Sequence, residues 1–395
     1  MPGFEVFGEE EKKEVLEVLD TGVLFRYGFD QARCGRWKAR ELERALAGRM
    51  GTQFAHLCSS GTAALSTAMA ACGIGAGDEV IVPPFTFVAD VEIILLAGAI
   101  PIFADIDETL GLNPAAAEAA ITSNTRAVLA VHMCGAMAQI DALRDLCERR
   151  GLILIEDACQ SVGGSFQGRP LGTFGRVGCF SFDAVKTVTC GEGGALITSD
   201  SELYARADAY ADHGHDHGGN DRGAEGHAFF GTNYRISELN AAVGLAQFRK
   251  LDDILARQRH NKQVLKSAIE GLPGVEFRVL PDADGDTAGF LSFFLPTEAR
   301  AKQVMKLLSE AGLGGCFYWY DNNWHYIKQW DHFKEMKGAS VLPLSRYGTF
   351  PDYRRIDLSR SDAILSRNIS MLILLSWTED GLADRAKKLR AILKA

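Results

Sequence analysis

The chain has no cysteine pair in CxxC spacing, no excess of basic residues, no low-complexity tract or internal repeat, and no long uninterrupted apolar run. Each absence removes a class of protein. Nine cysteines, an odd number, lie in apolar stretches, among them Cys58, Cys72, Cys134 and Cys179. That usage argues against a disulfide scaffold or a zinc site and for a reduced, cytoplasmic protein. A formal charge of −9 makes a general nucleic-acid binder a poor prospect. The most apolar stretch, 91–104, is interrupted by Gly98 and Pro101 and is too short to cross a bilayer. The opening MPGFEVFGEEEKK is acidic and lacks the apolar core of a secretory signal. The expectation is neither nucleic acid nor membrane as a partner.

What is present is the balance of a globular enzyme: 395 residues, 47% hydrophobic and 24% charged. That length predicts two domains. Short apolar runs alternate with helical patterns up to about residue 200. DEVIVPP, IPIFADI, RAVLAVHMCG, LILIEDAC, GCFSFD and GGALITS read as strands, and VADVEIILLAGA, AAAEAAI and IDALRDLCERRG as helices. Ser60–Cys72 reads as a helix with capping chemistry at Ser59–Thr62. Alternation of this kind predicts an α/β fold with a mainly parallel sheet. From Ile236 a long helical stretch runs to Pro273, followed by strands near VEFRVL and GFLSFFLP and helices at EARAKQVMKLLSEAG and near the C-terminus. The boundary is placed near 250: a large domain over 1–250 and a smaller C-terminal α/β domain over 251–395.

Ligands of open α/β sheets bind beyond the carboxyl ends of the parallel strands. After LILI stand Glu156 and Asp157, with Gln160 close behind. After GCFSF stands Asp183-Ala184-Val185-Lys186, and after IVPP stands Phe85-Thr86-Phe87. Ser59-Ser60-Gly61-Thr62 opens a helix, where backbone N–H groups and the helix dipole favour an anion. An acid, a lysine, an aromatic plate and a phosphate cradle are what pyridoxal phosphate needs. Taken singly, Lys186 reads as a surface lysine, raised by its place between a strand end and GEGG; Asp157 reads as a cap or an Arg partner, although an acid directly after an apolar strand is more often functional; and Phe87 reads as core, which only the joint pattern promotes. Gly73-Ile74-Gly75-Ala76-Gly77 closes a helix instead of opening one, so it is a helix stop and not a dinucleotide fingerprint. His213, His215 and His217 in ADHGHDHGG read as a loop at the mouth of the site, with no metal assigned.

These motifs resemble the DegT/StrS-type sugar aminotransferases of fold type I. The resemblance rests on Gly61-Thr62, Pro83-Pro84-Phe85-Thr86-Phe87, Glu156-Asp157-Ala158-Cys159-Gln160, Ser181 to Lys186, Gly191-Glu192-Gly193-Gly194 and Asn233-Tyr234-Arg235, in the family's order. It implies a large domain with a mainly parallel seven-stranded sheet flanked by helices. Pyridoxal 5'-phosphate is the implied cofactor, held covalently by Lys186. Asp157 would face the ring nitrogen, Gln160 the ring hydroxyl side, and Phe87 would stack on the ring. Gly61, Thr62 and Ser181 would bind the phosphate. Asn233 would reach it from the partner subunit, which implies a homodimer with shared active sites. Some similar proteins carry His at the lysine position and run a dehydration, so Lys186 favours transamination.

Within the family the opening MPGFEVFG, FRYGFD, ADHGHDHGG and GCFYWYDNNWHYIKQW are closest in appearance to the branch that makes 8-amino-3,8-dideoxy-manno-octulosonate, a lipopolysaccharide sugar. The implied donor is glutamate, and the implied acceptor is an anionic sugar, the C8 aldehyde of 8-oxo-3-deoxy-manno-octulosonate. An aminotransferase for a nucleotide-linked keto-sugar is the alternative. Asn323 and His325 are possible substrate contacts, with an aromatic core strand and turn as their plainer reading. Arg26, in the basic run between Arg26 and Arg40, is the first choice for a substrate carboxylate.

Overall fold

Short runs rich in Val, Ile and Leu cannot be helices of useful length, and they form the buried strands of a sheet covered on both faces. The computed structural model describes residues 3–219, 223–224, 226–346 and 350–395. Its main strands are β1 (Phe54–Cys58), β2 (Glu79–Val82), β3 (Ile100–Phe103), β4 (Thr125–Val131) and β5 (Ile153–Asp157). A small hairpin of β6 (Ser165–Phe166) and β7 (Arg169–Pro170) precedes β8 (Val177–Ser181) and β9 (Gly194–Thr198). Seven strands make one sheet in the order β1-β9-β8-β5-β4-β2-β3. Only β9 runs against its neighbours, and the rest are parallel. This is the mainly parallel seven-stranded α/β sheet of fold type I. β1 carries no local signal in the sequence, because the strand that it pairs with, β9, lies about 140 residues further along.

The stretch after Ile236 is not one helix. Helix Glu238–Arg249 buries Ala241, Leu245 and Phe248 against the main sheet. Helix Leu251–Ile269 carries Leu265 and Ile269 into a different core. The break falls at Lys250, whose Nζ is held 2.9 Å from the Val6 carbonyl and 2.8 Å from Glu11. The second core lies on an antiparallel sheet of β10 (Glu276–Phe277), β11 (Phe290–Phe294), β12 (Cys316–Phe317) and β13 (Asn368–Leu372), ordered β10-β11-β13-β12. Helices Glu298–Glu310 and Glu379–Lys394 cover it through Val304, Leu308, Leu382 and Leu389.

Two features join the halves. Beyond β12 the chain returns to the first sheet over residues 319–346 and 350–358. Phe85 pairs with Tyr326, and Trp330, Phe333 and Tyr353 pack on Val88, Val91 and Leu95. Each such side chain, once buried, contributes roughly 2–3 kcal/mol. That outweighs the roughly 0.6 kcal/mol that each doubling of loop length costs. At the N-terminus, Gly3 donates its N–H to the Lys186 carbonyl at 2.9 Å. Two residues on, Glu5 accepts from the Leu375 and Ser376 amides at 2.8 and 2.6 Å.

Arg278 is the polar counterpart. Its buried guanidinium donates to the carbonyls of Thr109 (2.6 Å), Met133 (2.6 Å) and Ala136 (3.3 Å). An apolar residue there leaves buried acceptors without donors. Arg278→Met is expected to cost about 3 kcal/mol of stability, read as a lower urea midpoint for the joint unfolding of both sheets.

Candidate active site

At the carboxyl edge of the large sheet a cavity of about 130 Å³ is lined by Ser60, Gly61, Thr62, Phe87, Asp90, Asp157, Cys159, Gln160, Ser181, Asp183, Lys186 and Glu192. Gly61, Thr62, Phe87, Asp157, Gln160, Ser181 and Lys186, singled out in the sequence, therefore meet at one place. Asp157 closes β5 and Ser181 closes β8, adjacent parallel strands. Asp157 is buried, and one of its oxygens accepts the Cys159 amide at 2.8 Å. Gln160 is aimed by its Oε1, which accepts the Cys134 amide at 2.9 Å. Lys186 Nζ lies 3.7 Å from the Asp183 carboxylate, and the lysine side chain is mostly shielded from solvent.

The helix Gly61–Ala71 begins at this cavity. Ser60 caps it by accepting the Ala63 amide at 3.0 Å, and the first main-chain bond of the helix runs from Ala64 to Ser60. The amides of Gly61 and Thr62 precede that bond, as the first N–H groups of a helix do. A Cβ on Gly61 would sit 2.7 Å from Ser181 Cβ. One on Gly194 would sit 2.2 Å from the Ser60 carbonyl. Glycine at both positions is what lets the helix start close against Ser181. The donor set fits a phosphate monoester bearing an aromatic ring: amides and hydroxyls at one end, a buried acid at the other, Phe87 beside them and a lysine amine within reach.

The mouth is built by the returning segment. Thr86 and Val88 donate their amides to the carbonyls of His325 (2.9 Å) and Trp324 (3.0 Å). Phe87 stacks on Trp324 at 6.1 Å and lies 5.5 Å from His325. Burial, with the nearby Lys186 charge, pushes His325 down to about 4, so its ring is neutral at neutral pH. Its Nδ1 lies 2.9 Å from Asn322 Oδ1. Asn323 is exposed on the same turn.

Three residues lie elsewhere or go unmarked. Arg26 is buried in an ion pair with Glu43 at 2.7 Å and donates to the Leu57 carbonyl at 2.7 Å. It lines a separate cavity with Tyr27, Trp37, Arg40 and His217. Asn233 is exposed outside this chain's own pocket, where its Oδ1 accepts the Arg235 amide at 3.4 Å. Asp90 is unmarked by any motif. Of the two acids in the apolar helix Val88–Leu96, Glu92 is exposed and Asp90 is buried.

The histidine tract is a loop. His217 lies 2.7 Å from Asp208 and 3.0 Å from Asp212, and stacks on Tyr27 at 4.3 Å. His215 rests on His227 at 4.2 Å.

A sheet of this order, with its lysine cavity at the ends of β5 and β8, defines a fold type I enzyme. The chain belongs to the DegT/DnrJ/EryC1/StrS aminotransferase family, whose profile matches residues 6–345, and the cofactor of that family is pyridoxal phosphate. Over 275 residues it is 41% identical to L-glutamine:2-deoxy-scyllo-inosose aminotransferase of Streptomyces kanamyceticus, covering 65% of this chain and 64% of that protein. Over 259 residues it is 40% identical to L-glutamine:scyllo-inosose aminotransferase of Streptomyces griseus, covering 64% and 60%. The match thus spans less than two thirds of either relative's length. Among solved structures, 3-amino-5-hydroxybenzoic acid synthase superposes with a TM-score of 0.81 at 29% identity, covering 98% of this chain and 96% of that one.

Burial alone would lower the His217 pKa, but hydrogen bonds to Asp208 and Asp212 outweigh it and hold the group at about 9. The unfolded value is about 6.5. The folded chain therefore binds the extra proton between these values. Its stabilisation is complete below about pH 6.5 and is lost as pH rises through about 9. The melting temperature is expected to fall over that window more steeply in the wild type than in His217→Gln. Parallel curves would remove His217 as the cause.

Proposed function

We propose that the chain is a pyridoxal-phosphate-dependent aminotransferase that moves an amino group from glutamate to a sugar carbonyl, with Lys186 holding the cofactor. One observation carries the reading. Lys186, Asp157 and the start of the helix Gly61–Ala71 wall a single cavity. Asp157 would face the ring nitrogen, Gln160 the ring hydroxyl side and Phe87 the ring face. Gly61, Thr62 and Ser181 would hold the phosphate. The bound cofactor would supply an electron sink for the carbon that gives up its proton. Lys186 Nζ takes that proton from the donor α-carbon in the first half-reaction and delivers one to the acceptor carbon in the second. Asp183 fixes the direction of the lysine side chain. The sequence relatives are named for L-glutamine as donor, which makes glutamine the comparison substrate.

For the acceptor we favour the C8 aldehyde of 8-oxo-3-deoxy-manno-octulosonate, as in lipopolysaccharide sugar synthesis. Its carboxylate lies at the opposite end of the carbon chain from C8. Asp157, Asp183 and Glu192 line the cavity beside one lysine. Of the two ends of this acceptor, the uncharged aldehyde is the one that such a wall opposes less. His325 and Asn323 stand on the turn at the mouth as contacts for sugar hydroxyls. Arg26, in its ion pair, is not carried forward as a substrate contact.

We place the enzyme in the cytoplasm as a homodimer. Asn233 stands outside its own pocket, and Phe230, three residues away, is fully exposed. Both facts suit a segment that completes the partner's site. Among the described residues no helix is long and apolar enough to cross a membrane.

The visible absorption of the purified protein tests the donor half. Glutamate is expected to bleach the band of the lysine-bound cofactor, while Lys186→Ala lacks that band and loses at least about a thousandfold in turnover with its fold intact. A Lys186→Ala variant that still transaminates ends the assignment. For the acceptor half, kcat/KM for the octulosonate aldehyde is expected to exceed that for a nucleotide-linked keto-sugar by at least about a hundredfold. The reverse ranking selects the nucleotide-linked sugar.

A further inference from the structure

Asp90 is an acid whose carboxyl meets no cationic side chain among the described residues. It lies in the first turn of the helix Val88–Leu96 and is fully buried. One oxygen, Oδ2, accepts the Thr86 hydroxyl. The other, Oδ1, meets no hydrogen-bond donor among the described residues. Its polar neighbour is the side chain of Asp157, which lies within hydrogen-bonding contact. Both acids line the cavity that holds Lys186.

Two carboxylates in contact and away from water do not both ionise. One keeps a proton and donates it to the other. The geometry says which. Asp157 already accepts the Cys159 amide at 2.8 Å, a donor that stabilises an anion. Asp90 has only a hydroxyl and the N-terminus of its own helix, and the helix end favours charge by less than full burial disfavours it. Burial first, and the Asp157 charge second, push the Asp90 carboxyl well above the usual carboxylate range. A proton on Oδ1 also gives that oxygen its missing partner, since Asp157 can accept.

We propose that Asp90 is a positioning residue that stays protonated and donates its hydrogen to Asp157, so that the pair presents a single negative charge to the cofactor's ring nitrogen. The proposal rests on the cofactor reading above. Asp90 acts through Asp157. It holds the Asp157 carboxyl in one orientation and draws off part of its charge, which sets how firmly Asp157 keeps a proton on the ring nitrogen. The Thr86 hydroxyl fixes Asp90 in turn, and the Thr86 amide is tied to the His325 carbonyl at 2.9 Å. The proton pair and the substrate mouth thus share one anchor.

Infrared spectroscopy of the purified protein at pH 8, compared with Asp90→Asn, tests the proton directly. A carbonyl band of a protonated carboxylic acid is expected in the wild type and is expected to vanish in the variant. Its absence from the wild type overturns the proposal. Asn keeps a neutral donor at the same place. Titration of the visible band of the lysine-bound cofactor is therefore expected to move by less than about 0.3 pH unit in Asp90→Asn. A fall of about one unit or more would mean that a negative charge had been removed and that Asp90 is ionised. Asp90→Ala, which has no donor, is expected to weaken pyridoxal-phosphate binding about tenfold, and an unchanged affinity removes the positioning role. A wild type that forms no visible band with pyridoxal phosphate sinks the cofactor reading instead, and the infrared band still reports where the proton sits.

Discussion

The site depends on the buried carboxylate of Glu156. Successive residues of a strand point to opposite faces, so in the pair Glu156-Asp157 one side chain goes into the protein and the other to the cavity. Glu156 accepts the amides of Gly172 (2.8 Å) and Gly175 (2.6 Å) and meets His132 Nε2 at 3.0 Å. Those glycines belong to the crossover that leads from β5 into β8. The crossover is also close: a Cβ on Gly178 would stand 2.1 Å from the Gly172 carbonyl. Holding the loop this tightly sets the β5–β8 register, with Asp157 opposite Cys179. That register brings Asp157, Ser181 and Lys186 to one edge. The buried member of the acidic pair builds the frame, and its neighbour faces the chemistry.

Division of labour between adjacent residues recurs around the cavity. Thr86 serves the scaffold while Phe87 faces the cavity. Ser60 caps a helix while Gly61 and Thr62 leave their amides to the cavity. Cys159 supplies an amide to Asp157, and Gln160 lines the wall. Motifs of two or three residues arise naturally when one side chain must be held by the backbone of the next. Preorganisation of this kind fixes the polar groups before any ligand arrives.

Legibility in the sequence followed how local the physical cause was. The alternating strands, the capped helix at Ser60 and the lysine five residues after Ser181 all declare themselves within a short window. Gly61, Phe87, Asp157 and Lys186 could therefore be singled out, and they do line one cavity. β1 could not be read, because its partner β9 is distant in the chain. The break at Lys250 was invisible inside a continuous helical pattern, since contacts with Val6 and Glu11 hold it. Arg26 looked available for an anion because Glu43, in the helix Lys38–Met50, cannot be paired with it from sequence alone. Asp90 belonged to no motif, and its meaning comes only with the packing that puts Asp157 beside it.

The N-terminal strap has a consequence for how the protein fails. Gly3 is fastened to the carbonyl of Lys186, and Glu5 to the amides of Leu375 and Ser376. These few bonds join points far apart in sequence and are backed by little apolar burial, since Phe4 and Phe7 are exposed. Contacts of this kind open at lower free energy than the strands of a buried sheet. Under rising temperature the strap gives way first and releases the backbone at the lysine while the seven strands are still paired. Inactivation would then precede melting, with the strap from Gly3 to Glu5 opening before the core.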